Sequence, residues 1–516
     1  MTAGRSRGKI QARVERKKGE GFVLGLDIGT GSSKALLFRE DGSAWGQAVS
    51  FGYPLKTDAM GRAELDPRDV YRATCRAIRE CQARAGLKPG QVRAIGLSSA
   101  WHSLVAVDEA GKPLTAILTW ADTRPSRAVA RLRSQLDGKA IHRATGCPLH
   151  SIYLPAKIAW LREEREEIFR RAARFLSVKE YILQTMLGRA VVDYSVASGA
   201  GLLDLHSRRY HEGLLRTLDL SSDRLSPLVE FDEMLQGLPA KEAEELYLDP
   251  EVPWVVGTGD GAASNLGLGA LQEEELALMI GTSGAVRLLV EGPRVDEEGR
   301  LFTYYAFAGR YVFGGAINNG GLARDWIVRL LRLSKTEEDR LGEFKPDLIF
   351  LPYLTGQRCP GWKEQARACF LGLALDTGRE DLLRAVLEGV CFSLREIVEI
   401  LEELGGRFRR IWASGGFTGS RSWCQLLADV LGRPVDVHPE PHASVRGAAL
   451  LAMKALGWIS SWEEAGGERE AAAYYRPDPQ LSLRYEEKFA RFRCAYRRLY
   501  QGEREGPAPG LAAKVL

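Results

Sequence analysis

Two stretches of the chain share one pattern of apolar and polar positions. Residues 23–38 run from Val23-Leu24-Gly25-Leu26 through Asp27-Ile28-Gly29-Thr30-Gly31-Ser32-Ser33-Lys34 to Ala35-Leu36-Leu37-Phe38. Residues 276–290 repeat it, with Leu276 to Ile280, the turn Gly281-Thr282-Ser283-Gly284, and Ala285 to Val290. Short apolar runs around a glycine-bearing turn predict a strand, a tight turn and a strand. One such hairpin in each half of the chain predicts a duplicated domain with a ligand cleft between the copies.

The remaining pattern alternates between helix and strand. Apolar positions at Val70, Ala73, Ala77, Ile78 and Cys81 predict a helix to about Arg84, capped by Asp66 with Pro67 at its first position. Helices are also expected over 154–190, 323–333, 381–404, 444–456 and 483–500, the last as a packing element through Tyr485, Phe489, Phe492 and Tyr496. Strands are expected at 45–51, 104–108, 117–124, 411–414 and 435–437, and buried strands at 92–98, 253–259 and 348–353. Asp193 to Gly199 reads as a polar connection.

Composition narrows the class. At 516 residues the chain exceeds one hydrophobic core, and 45% apolar with 27% charged residues is ordinary for a globular protein. A net charge of +4 does not point to nucleic acid, and no apolar run is long enough to cross a membrane. Eight cysteines without a CxxC argue against a zinc site or a disulfide framework and suit reduced thiols in the cytoplasm. Residues 1–20 are basic, lack the apolar core of a secretory signal, and read as a solvated extension, with a nucleic-acid arm as the alternative.

Candidate chemistry gathers at strand ends. Thr30, Ser32, Ser33 and Lys34 offer donors to anionic oxygens, and Asp27 suits a hydrated magnesium ion. No G-x-x-x-x-G-K-[ST] loop accompanies them. An ordinary hairpin is the alternative for one copy; the repetition favours a phosphate grip. Trp101 and His102 follow one strand, and Trp120, Asp122 and Arg124 follow another. Such tryptophans stack on the C–H face of a polyol, and Asp and Arg bind its hydroxyls or carboxylate; a packed tryptophan and a structural Asp–Arg pair are the alternative. Asp260 follows the strand ending at Gly259 and begins a helix whose amides near Gly261 to Ala263 would favour its ionised form. Gly415 and Gly416 leave room for a base or diphosphate against backbone.

Taken together, these motifs resemble the FGGY carbohydrate kinases over about residues 22–500. Ala368-Cys369-Phe370-Leu371-Gly372-Leu373 with Asp381 to Glu388 is similar to the family's C-terminal signature, and Asp27-Ile28-Gly29-Thr30, Gly259-Asp260, Ile280 to Ser283 and Gly415-Gly416 fall in the family's order. The resemblance implies an α/β protein of two actin-like, ribonuclease-H-like domains, with ATP and Mg2+ in the cleft. It implies Asp260 as the base, Asp27 at the metal, and Thr30, Ser32 and Lys34 as the first phosphate loop. Thr282 and Gly320 become second-domain phosphate contacts, and Gly416 and Ser420 the adenosine region. The implied division is 21–267 for sugar and base, 268–462 for ATP, and 463–516 as a helical tail, in a chain whose relatives are commonly homodimers. His102 aligns with the histidine of a Gln-Met-His-Gly motif of pentulose kinases, with Ala100 and Ser103 replacing Gln and Gly. Trp101 to Leu104, Thr119 to Arg124 and Thr145 to His150 are most similar to gluconate kinases, which implies Arg124, Lys157 and His102 as partners of a carboxylate. Gln357, Leu154 and Ser420 depart from the usual residues. A pentulose kinase is the nearest alternative and a non-catalytic sugar sensor the remote one.

Overall fold

The apolar runs become strands covered on both faces, which is why they carry so little alternation. In the computed structural model, which describes residues 21–334, 336–462 and 470–502, Phe22–Ile28 pairs antiparallel with Ser32–Arg39 and parallel with Val92–Ser99. The first sheet has the spatial order Met234–Leu235, Trp254–Gly259, Val92–Ser99, Phe22–Ile28, Ser32–Arg39, Ala44–Gly52. The second has the order Phe302–Phe307, Arg310–Ile317, Gly284–Glu291, Glu275–Ile280, Arg410–Ser414, Val435–Val437, Ala473–Tyr475. In each, a central hairpin has its first strand parallel to the next strand of the sheet. The expected duplication is therefore present, and the chain has the two-domain, actin-like α/β fold.

Strand parity decides what each residue of the first hairpin meets. Leu24, Leu26 and Ile28 face Val70, Ala73 and Ala77 of the helix Pro67–Ala85. Gly25 faces the other way, onto the helix Ala443–Ala455 from the second half of the chain. That approach requires glycine: a Cβ on Gly25 would lie 2.3 Å from the Val445 carbonyl oxygen, and one on Gly96 2.0 Å from that of Ala448. The same helix crosses Asp260–Gly267 backbone to backbone, where a Cβ on Gly447 would stand 1.9 Å from the Ala263 carbonyl oxygen. Gly96→Ala is expected to destabilise the fold by about 1–3 kcal/mol in urea unfolding, because helix and sheet must part. An unchanged midpoint would show that the contact is loose.

Several expected elements are redrawn. Residues 154–190 are not continuous helix: the strand Arg174–Leu176 interrupts them and pairs with Val105–Val107. The expected polar connection at 193–199 is a buried helix, Tyr194–Gly199, capped by Asp193, whose carboxylate accepts from Val196 N at 3.0 Å. Within the expected helical tail, Ala473–Tyr475 pairs with Val435–Val437 and completes the second sheet, so it packs as part of that domain. The final helix Pro479–Tyr500 packs Phe489 and Phe492 on Phe392 of the helix Arg379–Glu403 and ion-pairs Lys488 with the buried Glu388. The family's C-terminal signature is thus scaffold: Asp381 caps that helix, and Cys369–Leu371 pairs with Ile349–Leu351. The eight cysteines are all unpaired thiols. No helix among the described residues is long and apolar enough to cross a membrane.

Candidate active site

Asp260 stands at the first turn of its helix, directly after the wholly buried strand Trp254–Gly259. Its carboxylate accepts from Gly261 N at 2.8 Å. Gly259 and Gly261 flank it because the Trp101 indole lies against both: Cβ atoms there would come within 1.8 and 2.3 Å of that ring. Trp101 is therefore a buried wall behind Asp260, its Nε1 donating to Ser195 Oγ at 3.3 Å, and not an open platform for a sugar face. Beneath the strand, Lys179 Nζ donates to the carbonyls of Val256 (2.9 Å) and Thr258 (3.0 Å) and ion-pairs with Asp193 at 2.6 Å, all out of contact with water.

The expected bias of Asp260 toward ionisation is reversed. Burial, followed by the like charge of Asp27, raises its pKa to about 6, against the lowering influence of Arg287 and of the Gly261 and Trp101 amides. Dipoles of one helix turn are a weak term beside desolvation. At neutral pH the group is mostly a carboxylate and can accept a proton. Turnover is expected to fall as pH drops through about 6, to roughly a tenth one unit below, as the acceptor form is lost. A kcat profile flat from pH 7 to pH 5 would contradict this.

The first hairpin divides its polar residues between two faces. Asp27 accepts from Ser98 Oγ and from Ser444 Oγ (2.9 Å), on the face shared with Lys34. Ser33 points the opposite way, fully buried, its hydroxyl 2.8 Å from that of Thr74. It is structural and cannot meet phosphate where it stands, since adjacent strand residues face opposite sides. Thr30 is partly exposed and accepts from Trp120 Nε1 at 3.1 Å. Among the described residues no group of three or more His, Cys, Asp or Glu could hold a metal ion by itself.

The second hairpin borders a cavity of about 480 Å³, with Thr282, Gly416 and Ser420 in its wall. Gly320 lies beneath, donating to Thr282 O at 3.1 Å and packed against the Ser283 carbonyl. Gly415, at φ 100°, backs onto the Ile280 carbonyl, where a Cβ would come within 2.4 Å. The Ser420 hydroxyl is already engaged: it caps the helix Arg421–Leu431 and donates to Asp339. Asp339 and Arg324 also line the cavity, neither of them flagged by the sequence. A Cβ on Gly416 meets nothing within 4 Å. Gly416→Val is therefore expected to fill part of the cavity and raise KM for ATP by roughly 5- to 150-fold, the equivalent of about 1–3 kcal/mol, with kcat little changed. A raised KM for the acceptor instead would assign the cavity to the other substrate.

Two of the residues expected to bind substrate, Asp122 and Arg124, are taken by each other. Arg124 binds Asp122 through Nε (3.0 Å) and Nη2 (2.6 Å), also pairs with Glu64, and lies 4.7 Å from the Trp160 ring centroid. Asp122 is wholly buried and also accepts from Ala63 N at 3.1 Å, so the pair is a brace and not an open binding site. Lys157 is buried, pulled down by desolvation to about 7, and donates to His102 O. His102 adopts a left-handed φ of 63° and donates from Nδ1 to Gly199 O at 2.5 Å. Burial, then the charges of Arg358 and Lys157, holds its imidazole neutral. Trp120 keeps a partly exposed ring, with the Arg358 guanidinium 5.9 Å from its centroid.

Two arginines reach this region from the second domain. Arg287, on Gly284–Glu291, bonds Asn265 Oδ1 at 3.3 Å and is depressed to about 10 by burial, with Asp260 acting in the opposite direction. Its signal was present, a charge inside the apolar run Ala285 to Val290. Arg358 is buried, and its Nε finds no hydrogen-bond partner among the described residues. Nearby, His150 of the first domain meets Glu364 of the second at 3.3 Å, and Ser151 N donates to the same carboxylate at 2.9 Å.

Residues 22–267 match the N-terminal domain, and residues 276–456 the C-terminal domain, of the FGGY family of carbohydrate kinases. The chain is 37% identical over 459 residues to "Gluconokinase" of Bacillus subtilis (strain 168), covering 86% of this chain and 89% of that protein. It is 28% identical over 484 residues to "Xylulose kinase" of the same organism, covering 92% and 96%. Among solved structures, gluconate kinase from Lactobacillus acidophilus superposes with a TM-score of 0.83 at 29% identity, covering 93% of this chain and 98% of that one. With a carboxylate between two glycine hairpins and both halves matched in order, the chain belongs to the FGGY family of carbohydrate kinases and is an ATP-dependent sugar kinase.

Proposed function

We propose that this kinase transfers the γ-phosphoryl group of ATP to the terminal hydroxyl of D-gluconate, giving 6-phosphogluconate and ADP. The observation that carries the reaction type is Asp260, a half-buried carboxylate raised to about 6, set between the two hairpins and opposite Arg287. The similarity to gluconokinase, higher than to xylulose kinase, supports the acceptor.

The acceptor hydroxyl sits at Asp260, which orients it and takes its proton as the new O–P bond forms and the bond to the β-phosphate oxygen breaks. Lys34, Thr30 and Ser32 serve the phosphates from the first hairpin, and Thr282 from the second. Gly320, Gly415 and Gly416 give the chain close backbone approach, and the cavity beside Gly416 takes the adenosine. Asp27, with its serine partners, suits magnesium, which binds through one or two carboxylates plus phosphate oxygens and water. That ion would neutralise charge on the transferring group. Trp120 and the neutral His102 border the acceptor, while Trp101, Asp122 and Arg124 hold its walls. In this assignment the first domain serves the sugar and the second ATP, in a cytoplasmic homodimer.

The test is a panel of gluconate, D-xylulose and glycerol with ATP and magnesium, read by coupled ADP formation. Gluconate is expected to give the highest kcat/KM. A preference for xylulose would make the chain a pentulose kinase, and sugar-independent ADP release would remove the kinase assignment of Asp260.

A further inference from the structure

We propose that Arg358 is the residue that reads the acceptor's charge: its guanidinium takes the carboxylate of an aldonate whose far hydroxyl lies at Asp260. This assignment rests on the gluconate activity proposed above.

The first ground is an unanswered charge. Arg358 is 7% exposed, its Nε has no hydrogen-bond partner, and it forms no ion pair with a carboxylate among the described residues. A buried guanidinium nitrogen without a partner carries a desolvation penalty that an arriving anion removes. Glu364, which with Arg358 acts on His150, is already engaged by His150 and the Ser151 amide, and Glu64 and Asp122, in the segments beside Trp120, are engaged by Arg124. Among the described residues the guanidinium lies 5.9 Å from the Trp120 ring centroid and bonds no acid, which suits its edge to a planar, two-oxygen partner.

The second ground is what surrounds it. The charge of Arg358 bears on His102, His150, Tyr153 and Tyr304, and both histidines are held neutral by burial. Tyr153 and Tyr304 bond each other at 2.7 Å and pack edge-on against His102. An aromatic wall with neutral histidines and the Arg358 guanidinium set in it accepts a carboxylate and offers little to a neutral chain end. The phosphate-facing donors, by contrast, lie on the hairpins at Thr30, Lys34 and Thr282. The cations first expected to meet a carboxylate are not available, since Arg124 is held by two acids and Lys157 by a backbone carbonyl.

The experiment compares gluconate with D-glucitol, the same six-carbon chain with a hydroxymethyl group in place of the carboxylate, on wild type, Arg358→Gln and Arg358→Lys. Wild type is expected to favour gluconate strongly. Arg358→Gln is expected to lose roughly 30- to 1,000-fold in kcat/KM for gluconate, with KM for ATP within about threefold and glucitol unchanged or improved. Arg358→Lys is expected to recover part of the loss, because it keeps the charge without the fork. Thermal unfolding and ATP binding of each variant report folding. Equal losses for both acceptors, a rise in KM for ATP in place of gluconate, or unaltered gluconate kinetics would each overturn the assignment. A wild type that uses glucitol or xylulose but not gluconate would instead remove the gluconate reading, and the assignment with it.

Discussion

Asp260→Asn is expected to lower kcat by about 10²–10⁴-fold while ATP binding stays within about twofold. Asparagine retains the acceptor oxygen for the Gly261 amide, so the local backbone has its hydrogen bond, but it cannot take a proton from the acceptor hydroxyl. The acidic limb near pH 6 should disappear with it, since the titrating group is gone. Stability should move the other way. Burial and Asp27 raise this carboxyl above its ordinary 3.8, so the native state holds the proton more tightly than the unfolded chain. Stability therefore falls as pH rises from about 4 to about 6, and the neutral variant escapes that loss. Its unfolding midpoint at pH 7.5 is expected at or above the wild-type value. Steady-state turnover, calorimetric ATP binding and thermal unfolding measure the three effects. Turnover equal to wild type would place the proton acceptor elsewhere.

Lys179→Met is expected to lower the free energy of unfolding by about 3–5 kcal/mol, a large share of the roughly 5–15 kcal/mol typical of a folded protein. Methionine fills similar space but leaves the Asp193 carboxylate buried, with the Val196 amide its remaining hydrogen-bond donor. The carbonyls of Val256 and Thr258, four and two residues before Asp260, lose the ammonium that gathers them. The double variant Lys179→Met/Asp193→Asn should recover part of the loss, because no unpaired charge remains. Urea unfolding of the single and double variants gives the coupling; a single-variant loss below about 1 kcal/mol would mean that water reaches the pair. The strand that presents Asp260 is thus tensioned from below by one buried cation, a role invisible in a sequence where Lys179 is one charge in a helix.

Much of the site was readable because turn and strand chemistry is local. The two hairpins, the cap at Asp66, the helix start at Asp260 and the glycine pair at 415–416 each depend on neighbours within a few residues. The place of Ser33 in the turn says nothing of which strand face a helix covers; Thr74 decides that. Asp122 and Arg124 were misread because two residues able to bind a sugar can equally bind each other, and Glu64, 60 positions away from Arg124, completes their brace. Arg358, beside the unusual Gln357, is one arginine in a loop and is unremarkable until its surroundings are known to be dry.

What the sequence determined by itself is the duplicated α/β plan, the glycine turns and the acid at 260, all consequences of apolar runs and of backbone conformations that few residues tolerate. The tertiary structure alone decided which polar groups face the cleft and which are spent on the scaffold, how acidic Asp260 is, and that the helix Ala443–Ala455 lies across the first sheet. Those outcomes depend on burial and on charges brought together from distant parts of the chain, and desolvation is a property of the packed molecule that no local pattern carries.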